Sequence, residues 1–352
     1  MAPETKEAPA PKNPKMNTIG LLLADYKGGK STLCQGCGHD AITSSIVKAC
    51  HELSIEPHGV AKFSGIGCSS KTPNYFLNQA HGFNTVHGRM ATIATGASLA
   101  NSSMINLGVS GDGDTASIGL GNFLHMVRRN IPMVYIIENN GCYGLTKGQY
   151  SATADRGSVI KGLLHPNELP AIDICAMAIQ MGCQFVARSF SGDTQQVRTL
   201  IKAAIAHNGT AILDIISPCV TFNNAEDSTK SVKYAREHED PLHEIDFIPA
   251  YEQIEVDYEP GTTKTVTMHD GSKVTLKKLD HDYEPTDKMA ALSMLNEANH
   301  ENHFYTGLMY YGGNDPTFTD TMNLIDEPLV SLPTERLRPS RETFDEIMES
   351  FK

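Results

Sequence analysis

Met104-Ile105-Asn106-Leu107-Gly108-Val109-Ser110-Gly111-Asp112-Gly113-Asp114 and, further on, Met133-Val134-Tyr135-Ile136-Ile137-Glu138-Asn139-Asn140-Gly141 are the two stretches whose reading decides the fold. Each is a short apolar run ending in a polar, glycine-bearing turn. The segment between them, Ile118 to Arg129, has the apolar spacing of a helix. Strand, helix and strand make a right-handed β-α-β unit, and its two polar turns emerge at the carboxyl ends of neighbouring parallel strands. Open α/β sheets bind ligands at that edge, so the two turns are predicted to face one crevice.

The same alternation extends on both sides. Val60–Ser64, Gln184–Ala187 and Ala211–Ile216 are further apolar runs, and Asp193 to His207 has helical spacing. The expectation is an α/β domain over residues 16–224: a mostly parallel sheet with helices on both faces. Residues 1–15 mix Pro, Lys, Glu and Ala without periodicity and are expected to form a disordered arm. Residues 225–352 are charged and rich in Pro, Asp and Tyr. They are expected to be an irregular C-terminal extension that wraps the domain or a partner subunit. Within it, Lys264–Met268 and Ser272–Leu276 flank His269-Asp270-Gly271, the turn of a predicted hairpin.

With 352 residues and 40% hydrophobic content the chain can bury a full core. A net charge of -12 argues against nucleic acid and anionic membrane as partners, since both need a basic face. No run approaches the roughly 18 apolar residues of a membrane span. The first residues, Met1-Ala2-Pro3-Glu4, have no signal-peptide character, so a cytoplasmic location is expected. Eight cysteines are too few for a disulfide scaffold at this length.

The Gly-Asp-Gly-Asp and Asn-Asn turns suit a magnesium diphosphate. Magnesium takes six oxygens and only a few of them from protein. The Asp112 carboxylate, the Asn140 amide oxygen and one carbonyl just beyond leave room for phosphate. Gly111 and Gly113 let the main chain approach it, and the amides opening the helix from about 117 can donate. A plain glycine-rich turn followed by an Asn-Gly turn remains an alternative. An EF-hand does not fit, because Ala116 and Ser117 stand where an oxygen ligand and a glycine belong. A Walker A loop fails at Ala24.

Cys34-Gln35-Gly36-Cys37 is a Cys-x-x-Cys in a glycine-rich loop, and Cys68 and Cys219 each follow a predicted strand. No apolar strand leads into the first pair, which disfavours a thioredoxin-like motif. Four thiolates satisfy either zinc or a [4Fe-4S] cluster, and spacing does not choose. Cys50, Cys175 and Cys183 lie in apolar contexts and read as buried small hydrophobes.

Gly-Asp-Gly followed by Asn-Asn resembles the thiamin diphosphate signature. The phrases Cys34-Gln35-Gly36-Cys37-Gly38-His39, Ser64-Gly65-Ile66-Gly67-Cys68-Ser69-Ser70, His87-Gly88-Arg89, Ala94-Thr95-Gly96 and Tyr143-Gly144-Leu145-Thr146-Lys147-Gly148-Gln149 fall in the same order. Over residues 34–224 the chain resembles the β subunit of 2-oxoacid:ferredoxin oxidoreductases. The resemblance implies a thiamin diphosphate-binding fold and three cofactors: thiamin diphosphate, magnesium and one [4Fe-4S] cluster. It implies that Asp112, Asn140 and the Cys142 carbonyl hold magnesium. It also implies that Ile66, Gly67, Cys68, Ser69, His87, Gly113, Asp114, Gly144, Leu145 and Thr146 contact the thiamin, and that Cys34, Cys37, Cys68 and Cys219 hold the cluster. Lys71 is the candidate for the substrate carboxylate.

The same resemblance implies oxidative decarboxylation of a 2-oxoacid to an acyl-CoA with electrons passed to ferredoxin. It implies an α subunit partner, in a heterodimer or dimer of heterodimers, that supplies the glutamate activating the aminopyrimidine. A single cluster site and a long tail resemble the 2-oxoglutarate enzymes more than the pyruvate ones. A pyruvate or branched-chain enzyme, a non-redox thiamin decarboxylase with structural zinc, and a non-enzymatic metal-binding subunit are the other readings.

Overall fold

Every residue of Val60–Ser64, Met133–Asn139 and Thr210–Ile216 is buried. Only a strand covered on both faces allows this, which is why these segments read as continuous apolar runs and not as alternating ones. The computed structural model describes residues 16–223 and, after them, 229–230, 235, 237, 239–241, 263–267, 273–277, 283–301, 304–325 and 327–352. The predicted N-terminal arm and the Asp270-Gly271 turn lie outside the described residues.

The strands, in chain order, are β1 (Val60–Ser64), β2 (His81–Asn84), β3 (Ile105–Gly111), β4 (Met133–Asn139), β5 (Phe185–Phe190), β6 (Thr210–Ile216), β7 (Glu239–Pro241), β8 (Thr263–Thr267), β9 (Lys273–Lys277) and β10 (Phe304–Tyr311). Eight of them form one sheet in the order β2-β1-β3-β4-β6-β5-β10-β7. All neighbours are parallel except β10, which runs antiparallel to β5 with a bulge between Leu308 and Tyr310. The main sheet therefore recruits two strands from beyond residue 224. β8 and β9 pair with each other in antiparallel register, Val266 opposite Val274.

Alternate residues of each central strand enter two different cores. On one face Ala61, Phe63, Met133, Tyr135 and Ile137 pack with helices α2 (Met90–Ala100), α3 (Leu120–Arg128), α4 (Ile174–Gln180) and α6 (Lys288–Glu301). On the other, Val60, Leu107, Val109, Val134 and Ile136 pack with α1 (Gly38–Glu52) and α5 (Thr194–Ala206). The helix spacing explains the fit. α5 buries Val197, Leu200, Ile201 and Ala204, a single stripe, and its first turn is capped by Asp193 accepting from the Gln196 amide at 3.0 Å.

Candidate functional site

In the sheet order, β1, β3, β4 and β6 are consecutive neighbours. Their parallel direction brings four loops to one edge: 65–70 after β1, 112–114 after β3, 140–144 after β4 and 217–219 after β6. The turn before α1 reaches the same edge. There the Cys37 amide donates to the Cys34 carbonyl at 3.0 Å, and Cys37 is the N-cap of α1. Two cavities open between these loops. One, about 250 Å³, is lined by residues 66–69, 111–114 and 142–144 with His39, Glu138 and Asn140. The second, about 360 Å³, is lined by Cys34, Cys37, Cys68 and Cys219 with Leu33 and residues 220–222. His39, Cys68, Asn140 and Gly144 line both, and so form a common wall.

Asp112, one of three acids lining the first cavity, is only 1% exposed. Its Oδ2 accepts from Ser151 Oγ, from Thr153 Oγ1 at 2.6 Å and from the Gly141 amide at 3.1 Å. Its Oδ1 has one long contact, 3.4 Å from the Asn140 amide. Burial pushes its pKa upward against these bonds. Among the described residues no cationic side chain pairs with it. A buried carboxylate with an under-used oxygen facing a cavity suits a bound divalent cation. The Asn140 side-chain oxygen accepts from the Cys142 amide at 3.1 Å and retains a second lone pair.

Asp114 fastens the loops together. Its Oδ1 accepts from the Gly88 amide at 2.7 Å, and its Oδ2 from the Ile66 amide at 3.1 Å and Ser110 Oγ at 3.0 Å. It therefore ties the loop bearing Cys68 and the loop bearing His87 to the Gly-Asp-Gly-Asp turn. Beyond it the chain makes one wide turn, Asp114–Ile118, before α3 starts, so the helix begins later than residue 117. Gly113 is demanded by contact: a Cβ there would lie 2.5 Å from the Tyr143 ring, whose hydroxyl donates to the Gly113 carbonyl at 2.9 Å. Gly67 has a φ of 104°, a conformation glycine adopts freely, and this turns the chain sharply into Cys68.

The four cysteines of the second cavity are all free thiols. Burial raises Cys37 to about 12 and Cys68 to about 11. Cys219 is lowered to about 6, chiefly because the Cys142 thiol donates to it. A bound cationic metal core would hold all of them as thiolates. Among the described residues no three His, Cys, Asp or Glu side chains gather closely enough for a single metal ion. Cys34, Cys37, Cys68 and Cys219 line one common space, and four thiolates there could ligate either a zinc ion or a [4Fe-4S] core. Gly144 keeps that space open, since a Cβ there would lie 3.3 Å from Cys68 Sγ and 3.7 Å from Cys219 Sγ.

Sequence reasoning passed over Glu138. Its carboxyl, fully buried at the end of β4, accepts from Thr72 Oγ1 at 3.1 and 3.0 Å. Its Oε2 lies 3.0 Å from His39 Nδ1, off the axis of a hydrogen bond. Burial holds His39 down to about 4 and raises Glu138 well above the carboxylate range, so their contact is between neutral groups. An acid inside an otherwise apolar strand run was the available signal.

The structure brings Ile66, Gly67, Cys68, Ser69, Asp112, Gly113, Asp114, Asn140, Cys142 and Gly144 into the lining of the first cavity. Lys71, His87, Leu145 and Thr146 line neither cavity. Lys71 lies close enough to Cys68 for its charge to favour the thiolate. His87 is exposed beside Gly88, and Leu145 is 48% exposed. Thr146 bonds to the Tyr143 carbonyl at 3.3 Å. Cys50, Cys175 and Cys183 are buried in the cores.

Residues 65–215 match the family described as thiamine pyrophosphate enzyme, C-terminal TPP binding domain. A β subunit of 2-oxoacid:ferredoxin oxidoreductase from Sulfolobus sp. is 43% identical over 191 residues, 54% of this chain and 63% of the relative. The 2-oxoglutarate synthase subunit KorB of Methanocaldococcus jannaschii is 35% identical over 210 residues, 58% of this chain and 77% of the relative. Among solved structures, a 2-oxoglutarate:ferredoxin oxidoreductase from Magnetococcus marinus, with 2-oxoglutarate, coenzyme A and succinyl-CoA bound, superposes with a TM-score of 0.73. The identity is 28%, and the match covers 96% of this chain and 98% of that one. A matching thiamin-binding domain, a 35%-identical relative covered over 77% of its length, and a fold shared over 96% of this chain carry one conclusion. This chain belongs to the family of 2-oxoacid:ferredoxin oxidoreductase β subunits.

Proposed function

We propose that this chain, together with an α subunit, oxidatively decarboxylates 2-oxoglutarate to succinyl-CoA and passes the electrons through a [4Fe-4S] cluster to ferredoxin. One observation carries the reading: the acid-and-amide cavity and the four-cysteine cavity share His39, Cys68, Asn140 and Gly144 in their linings. When bound, thiamin diphosphate supplies a nucleophilic carbon and an electron sink, and the cluster accepts electrons singly.

The chain's own residues prepare for this. Asp112, Asn140 and the Cys142 carbonyl hold magnesium and through it the diphosphate. Ile66 to Ser69, Gly113, Asp114 and Gly144, which line the first cavity, would contact the cofactor, and His87, Leu145 and Thr146, outside that lining, would complete its contacts. Lys71 offers its ammonium to the substrate carboxylate. Cys34, Cys37, Cys68 and Cys219 ligate the cluster. The enclosed part of the first cavity is far smaller than the roughly 300–1,000 Å³ of sites that enclose a drug-sized ligand, which supports a partner subunit completing it. Residues 16–223 carry the candidate cofactor ligands, and β7, β10 and α6 from the later segment complete their sheet and core. No helix among the described residues is long and apolar enough to cross a membrane, which accords with a cytoplasmic enzyme.

The test is anaerobic co-expression with the α subunit, then metal, sulfide and thiamin analysis. About four irons and four sulfides per β chain are expected, with CoA-dependent ferredoxin reduction faster on 2-oxoglutarate than on pyruvate or branched-chain 2-oxoacids. Zinc in place of iron would sink the redox reading, and preference for another 2-oxoacid would sink the substrate assignment.

A further inference from the structure

Of the four residues in the common wall, Cys68 and Asn140 have roles as proposed ligands and Gly144 is there for its lack of a side chain. His39 has no role so far. Its imidazole is 1% exposed, and neither Nδ1 nor Nε2 has an aligned hydrogen-bond partner within the chain. Buried polar atoms are almost always satisfied, so an orphaned nitrogen at a cavity wall calls for a partner that occupies the cavity. The ring is well fixed. It sits in the first turn of α1, two residues after Cys37, and its Nδ1 edge rests 3.0 Å from the Glu138 carboxyl, itself held by Thr72. Three loops, those of Cys37, Cys68 and Asn140, thus converge on one histidine.

We infer that His39 is a binding residue shared by the two cavities, whose Nε2 donates a hydrogen bond to an anionic group held against the wall. This inference rests on the cofactor reading above. Two bound groups offer that chemistry there, a sulfur of the cluster or a diphosphate oxygen. Glu138 and Thr72 act through His39 as positioning residues. The arrangement would make one side chain sense the charge at the very place where the two cofactors come closest.

The experiment uses the assembled α–β complex, purified without oxygen, and three variants: His39→Leu, His39→Gln and His39→Asn. A glutamine amide reaches the place of Nε2, whereas an asparagine amide reaches only that of Nδ1. Two quantities are read on each: the cluster's midpoint potential with its electron paramagnetic resonance spectrum, and the dissociation constant of thiamin diphosphate by calorimetry. If the partner is a cluster sulfur, H39L and H39N shift the potential downward and change the spectrum, because a donor to sulfur stabilises the reduced state. H39Q then restores both. If the partner is a diphosphate oxygen, H39L and H39N weaken thiamin diphosphate binding about tenfold, the size of one such bond, and H39Q recovers it. Either pattern supports the inference. Wild-type values of both quantities in H39N, or equal losses in H39N and H39Q, overturn it. A wild-type complex that takes up neither cofactor would instead count against the proposed function.

Discussion

Thr153 Oγ1 lies 2.6 Å from Asp112 Oδ2. The same oxygen is 2.9 Å from Asn139 Oδ1, so one hydroxyl hydrogen faces two acceptors, and the charged carboxylate makes the stronger bond. From Asn139 the network continues. Its amide donates to Asp214 at 2.9 Å, and Arg188 pairs with Asp214 at 3.0 Å and Asp173 at 2.9 Å. Asn139 and Asn140, adjacent in sequence, thus do different work: Asn140 faces the cavities, and Asn139 anchors the loop to the buried ion pairs.

Replacing Thr153 by valine keeps the shape and removes the donor. The cost expected for a buried acceptor losing its partner is about 1–3 kcal/mol, and magnesium half-saturation should rise several-fold. T153S should behave like wild type. Urea unfolding and magnesium titration of thiamin diphosphate binding measure the two effects, and a T153V protein matching T153S in both would refute the role given to this hydroxyl.

Arg188 bridges Asp173 and Asp214, at 2.9 and 3.0 Å. Opposed charges prevail over burial here: Arg188 is raised well above its ordinary pKa and Asp173 is lowered. R188M leaves the buried Asp214 without its cation and the part-buried Asp173 with only the influence of Lys230, and should cost about 3–5 kcal/mol. Denaturant midpoints give the answer, and a loss below about 1 kcal/mol, the scale of a surface ion pair, would contradict the assignment.

Burial raises Glu138 above its ordinary 4.5. A raised folded-state pKa means that the native protein holds the proton more tightly than the unfolded chain does. That stability is complete below pH 4.5 and is lost as pH climbs toward the folded value. His39, lowered to about 4, is neutral in the fold throughout this window, and its unfolded-state titration is common to both proteins compared. Glu138→Gln lacks the loss. Its stability relative to wild type should therefore improve between pH 5 and pH 8, in unfolding measured at both. A constant difference would show that Glu138 is ionised in the fold.

Gly144→Ala places a methyl group 3.3 Å from Cys68 Sγ and 3.7 Å from Cys219 Sγ. The backbone there needs no left-handed conformation, so the fold should survive with a melting temperature within a few degrees of wild type. Iron content after anaerobic purification should fall sharply, while thiamin diphosphate still binds. Full iron occupancy in G144A would mean that the sulfurs stand differently around this glycine.

Local chemistry was legible in the sequence wherever one segment carries its own reason. Five strands announced themselves as nearly continuous apolar runs, and the Cys34–Cys37 pair and the Gly-Asp-Gly-Asp turn because their spacing is short. β2 did not, since all four of its residues are exposed and pairing with β1 alone makes it a strand. β10 and β7 extend the sheet from beyond residue 224, where composition suggested only an extension. Glu138, Thr72 and His39 meet across long stretches of chain, Thr72 and Glu138 being 66 positions apart, and no local pattern encodes that contact. The sequence by itself determined the parallel α/β architecture, the candidate ligands and the family resemblance, because hydrophobic period and short motifs are local. Only the tertiary structure decided that the two cavities share a wall, that Asp114 is a fastener, and that a histidine stands unsatisfied between them. Those facts depend on which strand ends lie side by side, and that is set by packing between distant segments.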